Sequence, residues 1–235
     1  MPESPSSLDV PGIDELSKAA PDNKRLVLVP ALMTLAVTLV RLAGELLHGP
    51  RVLFNPEAGG PWAIVGIVWL APVFGIYFAL KLAGGSYKPK SVGRALAFPL
   101  LGLAVVFVLS FLGSLLPLEQ HFRERLLYVW IVVAVAAWVA RPGWPPLFRT
   151  LLVYAYAARI PVAIVMIVAF WRDWGTHYDA VPSDFPESMG LMAKYLWLGF
   201  FPQLVFWVGA TVILGMLAGS FAVGIAHLVR RRPLV

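Results

Sequence analysis

Apolar residues run along this chain in long blocks, with neither the alternation of a half-buried strand nor the narrow stripe of a surface helix. Uncharged apolar stretches fill 61–80 and 95–116, and stretches with only two charges each fill 26–47 and 147–171. About 20 residues rising 1.5 Å each cross a hydrocarbon core of about 30 Å, so all four read as membrane-spanning helices. A shorter block, 126–140, lies between Arg125 and Arg141. It spans if the flanking arginines reach out to the head groups and the bilayer thins locally. The last block, 195–229, is too long for one simple crossing, and Pro202 is expected to divide it into an interfacial piece over 188–201 and a span over 203–229.

The expected fold is therefore an all-α integral membrane protein, a bundle of about six transmembrane helices. It forms one domain over 26–235, preceded by a flexible polar tail over 1–25. That tail is acidic and proline-bearing and delays the first apolar run to Leu26, unlike a basic secretory leader, so it is expected to stay on the protein. Lysine and arginine set the orientation. With the N-terminus inside, twelve of them (Lys18, Lys24, Arg25, Lys81, Lys88, Lys90, Arg94, Arg141, Arg149 and Arg230 to Arg232) fall on the inner face. Five fall outside: Arg51, Arg123, Arg125, Arg172 and Lys194. Short loops rich in Lys and Arg stay cytoplasmic, so both termini are expected inside, in a multi-pass protein of the cytoplasmic (inner) membrane. Trp62, Trp144, Trp171 and Trp174 fall at the expected interfaces.

Composition narrows the function classes. Hydrophobic residues make up 59% of the chain and charged residues 14%, against about 25% in a soluble domain. A soluble enzyme, a disordered chain and a coiled coil are excluded. The net charge of +6 needs no nucleic acid, because it lies where it fixes topology and meets anionic lipid. The chain has no cysteine and so no disulfide or thiolate metal site. It also lacks the His-Glu-x-x-His, Gly-x-Ser-x-Gly and phosphate-loop patterns, so neither an enzyme nor a cofactor is expected.

Charge inside hydrocarbon costs about 2.5–3.5 kcal/mol per central residue, which singles out Arg41, Glu45 and Arg159. Arg41 and Glu45 are spaced i,i+4 and can neutralise each other on one helix face. Arg159 lies near mid-depth of its span, two residues before Pro161, and could satisfy the carbonyl that the proline frees near Ala157. Together with Gln203 these residues form a candidate site for an anionic or zwitterionic ligand. An interhelical ion pair or a snorkelling arginine explains the charges equally simply. His48, His121 and His177 share the outer side with acids such as Asp173, but at no spacing that dictates a metal, and the 173–188 segment reads as a solvated loop. No metal is expected. His227 reads as a residue snorkelling at the inner end of the last span.

Gly215-x-x-x-Gly219 and Ser220-x-x-x-Gly224 form small-residue faces for close helix packing, within the bundle or across a homo-oligomer. Six spans also divide into two inverted sets of three, whose middle helices carry Pro72 and Pro161, a plan that carriers use to build a midplane site. Two functions are expected. The first is an accessory or structural subunit of a larger membrane complex, with partner subunits or a homo-oligomer. The second is a small carrier or ligand-binding membrane protein with its site around Arg159, Arg41 and Glu45.

Overall fold

The computed structural model describes residues 23–58, 63–117, 122–186 and 188–231. The described residues form an all-α multi-span membrane bundle. Helix α1 (Asn23–Leu46) is followed by α2 (Leu70–Gly84), α3 (Val92–Ser114) and α4 (Phe122–Ala140). Helix α5 (Pro145–Arg172) comes next, then a short α6 (Leu191–Lys194), π-helical turns over Tyr195–Phe200 and Pro202–Phe206, and α7 (Trp207–Arg231). Five helical segments are long and apolar enough to cross a membrane, and α2 is shorter. The tail over 1–22 lies outside the described residues, and α1 already starts at Asn23.

Three segments differ from the sequence expectation. The 61–80 block does not form one span. Its helix begins only at Leu70 and is 15 residues long, so the chain before it enters as irregular backbone. Pro72 therefore sits in the first turn, where an absent N–H costs nothing, rather than breaking a helix in its middle. The 126–140 block, by contrast, is a full span. It starts at Phe122 and runs through a 3₁₀ turn to Gly143, 22 residues in all, because Arg123, Arg125 and Arg141 are taken into the helix or its end.

Pro202 does not divide the last block either: Leu191–Val229 is one helical segment of 39 residues. A proline cannot donate to the carbonyl one turn back, and the helix answers by widening into π-helical turns on both sides of it. Pro161 is absorbed inside α5, which runs unbroken for 28 residues.

The core is built on close backbone approach. A Cβ placed on Gly75 would fall on the backbone of Gly215, and one on Gly219 would lie 2.5 Å from the Gly75 carbonyl oxygen. Glycine thus lets α2 and α7 cross at contact distance, with Phe74, Phe78, Leu151, Tyr154 and Met216 packed around the crossing. Gly224 has more room, its nearest neighbour being a Val92 methyl at 3.2 Å. The small-residue face expected on the last helix is used within the chain. Trp144, expected at an interface, is instead buried at 1% exposure and donates its indole N–H to the Tyr87 carbonyl at 2.9 Å. Trp171 is exposed, Trp174 is half-buried, and Trp62 lies outside the described residues.

Acidic side chains gather at one end, together with Arg51, Arg123, Arg125, Arg172 and Lys194. Among the described residues, the carboxylates Glu45, Glu57, Glu124, Asp173, Asp179 and Asp184 all lie toward the end where α1 finishes and α5 leads into α6. Lys81, Lys88, Lys90, Arg94, Arg141 and Arg149 lie toward the other.

Candidate functional site

Helix α1 carries more polarity than its two charges suggest. Thr34, Thr38, Arg41 and Glu45 follow one another at spacings of four, three and four, so they line one face, and all four are buried. The Thr34 hydroxyl donates to the Pro30 carbonyl at 2.8 Å and meets the Tyr154 hydroxyl of α5, also at 2.8 Å. The Thr38 hydroxyl donates to the Thr34 carbonyl at 2.9 Å, and the Tyr178 hydroxyl donates to the Thr38 carbonyl at 3.1 Å. In hydrocarbon a polar group without a partner costs several kcal/mol, and this ladder supplies the partners.

At the top of the ladder Arg41 Nε donates to Glu45 Oε1 at 2.8 Å, as the i,i+4 spacing predicts, and Arg41 also donates to the Asn55 carbonyl at 3.2 Å. Glu45 has a further partner. The backbone N–H of His177 donates to its Oε2 at 2.9 Å, while the His177 ring Nδ1 lies 2.6 Å from Oε1 and 2.8 Å from Oε2. Geometry places a proton on Nδ1, which donates to the carboxylate. Burial pushes the ring below the usual imidazole range, opposed by the hydrogen bond to Glu45 and reinforced by the Arg41 charge. Burial also pushes the neighbouring Tyr178 phenol up.

The segment that delivers His177 is not the solvated loop that its composition suggests. Helix α5 ends on Asp173 in the left-handed conformation, and the chain then folds back into the bundle, burying Thr176, Tyr178, Asp179 and Phe185. Asp179 holds the turn. Its carboxylate accepts the N–H groups of Gly175 and Thr176, both at 2.8 Å, and the Thr176 hydroxyl at 2.6 Å. Arg125 pairs with Asp184, and Phe122 meets Phe185 edge-on, tying the segment to α4.

Arg159 lies deeper and is 4% exposed. Its guanidinium turns to α7 and not to the Ala157 carbonyl. It donates to Gln203 Oε1 at 3.3 Å and stands over the Trp207 ring at 4.8 Å. Gln203 in turn directs its amide at the Met166 sulfur, 3.6 Å away. Among the described residues no carboxylate pairs with Arg159. Gln203 and Trp207 are four residues apart, so they share one helix face and both reach Arg159.

A cavity of about 260 Å³ joins these groups, lined by Arg41, His177, Tyr178, Arg159, Gln203 and Trp207. Ile67 and Val68, directly before α2, form another part of its wall, so the positive end of the α2 dipole abuts it. Charges sum simply. Arg41 and Glu45 cancel, His177 is neutral, and Arg159 is left as one unbalanced positive charge beside a cavity.

Of the four residues singled out from sequence, Arg41, Arg159 and Gln203 line one cavity, and Glu45 stands behind it, paired with Arg41 and His177. Thr34, Thr38, Tyr154, His177 as a Glu45 partner, Tyr178 and Trp207 were missed. The threonine spacing and the four-residue step from Gln203 to Trp207 were the signals that could have found some of them. The other candidates do not assemble. His48 is exposed just past α1, Asp173 is exposed, His121 lies outside the described residues, and no group of three His, Asp or Glu side chains forms among the described residues. No protein-family model, curated protein or solved structure matches the chain, which leaves the geometry of this cavity as the ground for a functional reading.

Proposed function

We propose that the chain is a membrane-embedded binding protein or small carrier for an anionic ligand, held in the cavity between α1, α5 and α7. One observation carries this reading: Arg159 is buried at 4% exposure beside the cavity, and among the described residues its partners are a neutral amide and aromatic rings, with no carboxylate. A buried cation without a counter-ion is costly, and an entering carboxylate or phosphate would supply one. The α2 dipole adds to the positive field, and Gln203 offers a donor amide once it leaves the Met166 sulfur. Apolar and aromatic walls suit a ligand with a small apolar body. The cavity reaches the end bearing His177, and the bias of Lys and Arg toward the other end supports placing it on the outer side. Nothing in this reading calls for chemistry on the ligand.

The test uses the purified full chain in mild detergent. Tryptophan fluorescence is titrated with hexanoate and hexyl phosphate, the Trp207 part being read as the difference from Trp207→Phe, with hexanol and hexylammonium as controls. The anions are expected to bind, and Arg159→Gln is expected to weaken them at least tenfold while hexanol stays weak. Equal binding of hexanol, or an unchanged Arg159→Gln, overturns the proposal.

A second reading, an accessory subunit of a larger membrane assembly, is supported by α3. Only 17% of its spanning window is buried, leaving Leu100, Leu101, Phe107 and Phe111 facing outward. Lipid can cover such a face as well as a partner can. Stoichiometric recovery of a partner chain that cross-links to α3 in native membranes would favour this second reading.

A further inference from the structure

A second concavity, of about 610 Å³, lies at the opposite end of the bundle and belongs to no part of the Arg159 cavity. It is walled by the end of α2 (Leu80, Gly84), by Lys88, Lys90 and Ser91 before α3, and by His227 near the end of α7. We infer that this groove binds the phosphate head group of an anionic membrane phospholipid.

Position supports it first. The groove sits where two spans end and a third begins, the level at which head groups lie. Charge supports it second. Lys88 and Lys90 are exposed and have no carboxylate partner among the described residues, and no described carboxylate lies at this end of the molecule. Arg94, one turn into α3, is by contrast engaged, donating to the Pro142 carbonyl at 3.1 Å and standing over Phe98. Shape supports it third. Beside the basic floor the wall is apolar, with Leu80, Val92 and Val223 in the groove and the exposed Ile225 and Leu228 continuing along α7. An acyl chain could follow these residues into the bilayer while its phosphate stayed with the lysines. Ser91 keeps its own N–H contact, accepting from Arg94 N at 3.1 Å, and its hydroxyl proton remains free to donate.

Ammonium groups near an anionic surface add about fivefold each to binding, so the two lysines should together contribute more than tenfold. The test is native mass spectrometry of the full chain in detergent with phosphatidylglycerol, phosphatidylcholine or soluble glycerol phosphate. The comparison is between wild type, Lys88→Gln/Lys90→Gln, and a control pair on the same end outside the groove, Lys24→Gln/Arg149→Gln. Expected is retention of phosphatidylglycerol over phosphatidylcholine, a tenfold or greater loss in the Lys88/Lys90 variant, and less than twofold change in the control. Equal loss in the control pair would mean unspecific surface attraction and overturn the proposal. Retention unchanged in the Lys88/Lys90 variant would overturn it too. So would glycerol phosphate binding as tightly as the lipid, which would make the ligand a soluble phosphate. A tenfold gain on deleting residues 1–22 would assign the groove to the chain's own acidic tail instead.

Discussion

Glu45 takes two bonds from one residue 132 positions away: the backbone N–H and the ring nitrogen of His177 both reach its carboxylate. This links the end of α1 to the segment after α5 and closes one end of the cavity. Glu45 is also the counter-charge of Arg41, so a single carboxylate neutralises a buried cation and anchors a buried turn.

Removing that carboxylate should be expensive. Glu45→Gln leaves Arg41 buried without its counter-charge, a change that typically costs about 3–5 kcal/mol. Thermal unfolding in detergent is expected to show a clear drop. Combined with His177→Ala, the effect should be strongly less than additive, because both variants break the same network. Additive losses would show that the two residues act independently.

Arg159 should behave in the opposite way. No described carboxylate depends on it, so Arg159→Met is expected to leave stability unchanged or raise it by about 1–4 kcal/mol, the range seen when buried charge is replaced by apolar volume. Arg41→Met, which strands Glu45, should destabilise. If both variants destabilise alike, Arg159 has a structural role that its contacts do not reveal.

Acid should weaken the fold through the burial of the His177 ring. That ring binds a proton less readily in the folded chain than in the unfolded one, so the unfolded state takes up more protons as the pH falls below about 6.5. Stability is then fully present above that value and declines as the pH drops through the lowered folded value. Unfolding measured from pH 8 to 5 should show this decline in the wild type. His177→Asn should flatten the part of the slope that comes from this ring, and an identical slope in both would remove His177 as its source.

The α2–α7 crossing makes a graded prediction. Gly75→Ala forces a methyl onto the Gly215 backbone, which cannot give way, and should cost about 1–3 kcal/mol or more. Gly224→Ala meets one Val92 methyl at 3.2 Å, which a small rotation relieves, and should cost far less. Equal melting temperatures for the two variants would contradict the packing described.

Pro202→Ala restores the missing donor and should let the π-helical turns relax toward ordinary α-helix. Gln203 would then rotate away from Arg159. Stability is expected to hold or rise while anion affinity falls, separating the site's geometry from the fold's strength. Unchanged anion affinity would mean that the widened register does not position Gln203.

Block hydrophobicity made the helical, multi-span architecture legible, because lipid-facing helices need no periodic polar face. It overshot at 63–69, where the residues are as apolar as a span and yet form irregular backbone: hydropathy reports solubility in lipid and not hydrogen-bond geometry. Arg41, Glu45 and Arg159 were legible for a simple reason, the cost of charge in hydrocarbon. His177, Tyr178 and Asp179 were not, because their loop has the composition of a solvated segment and its burial is set by partners on α1 far away in sequence. Trp207 could have been found, because it stands one helical turn after Gln203 and so shares its face.

The depth of Arg159 has an electrical consequence. A charge carried across the whole membrane is worth about 2.3 kcal/mol per 100 mV, and an anion descending to mid-depth traverses roughly half of that field. Occupancy of the cavity should therefore depend on voltage. The sign of that dependence would report which end of the molecule faces the cell interior, independently of where the lysines lie.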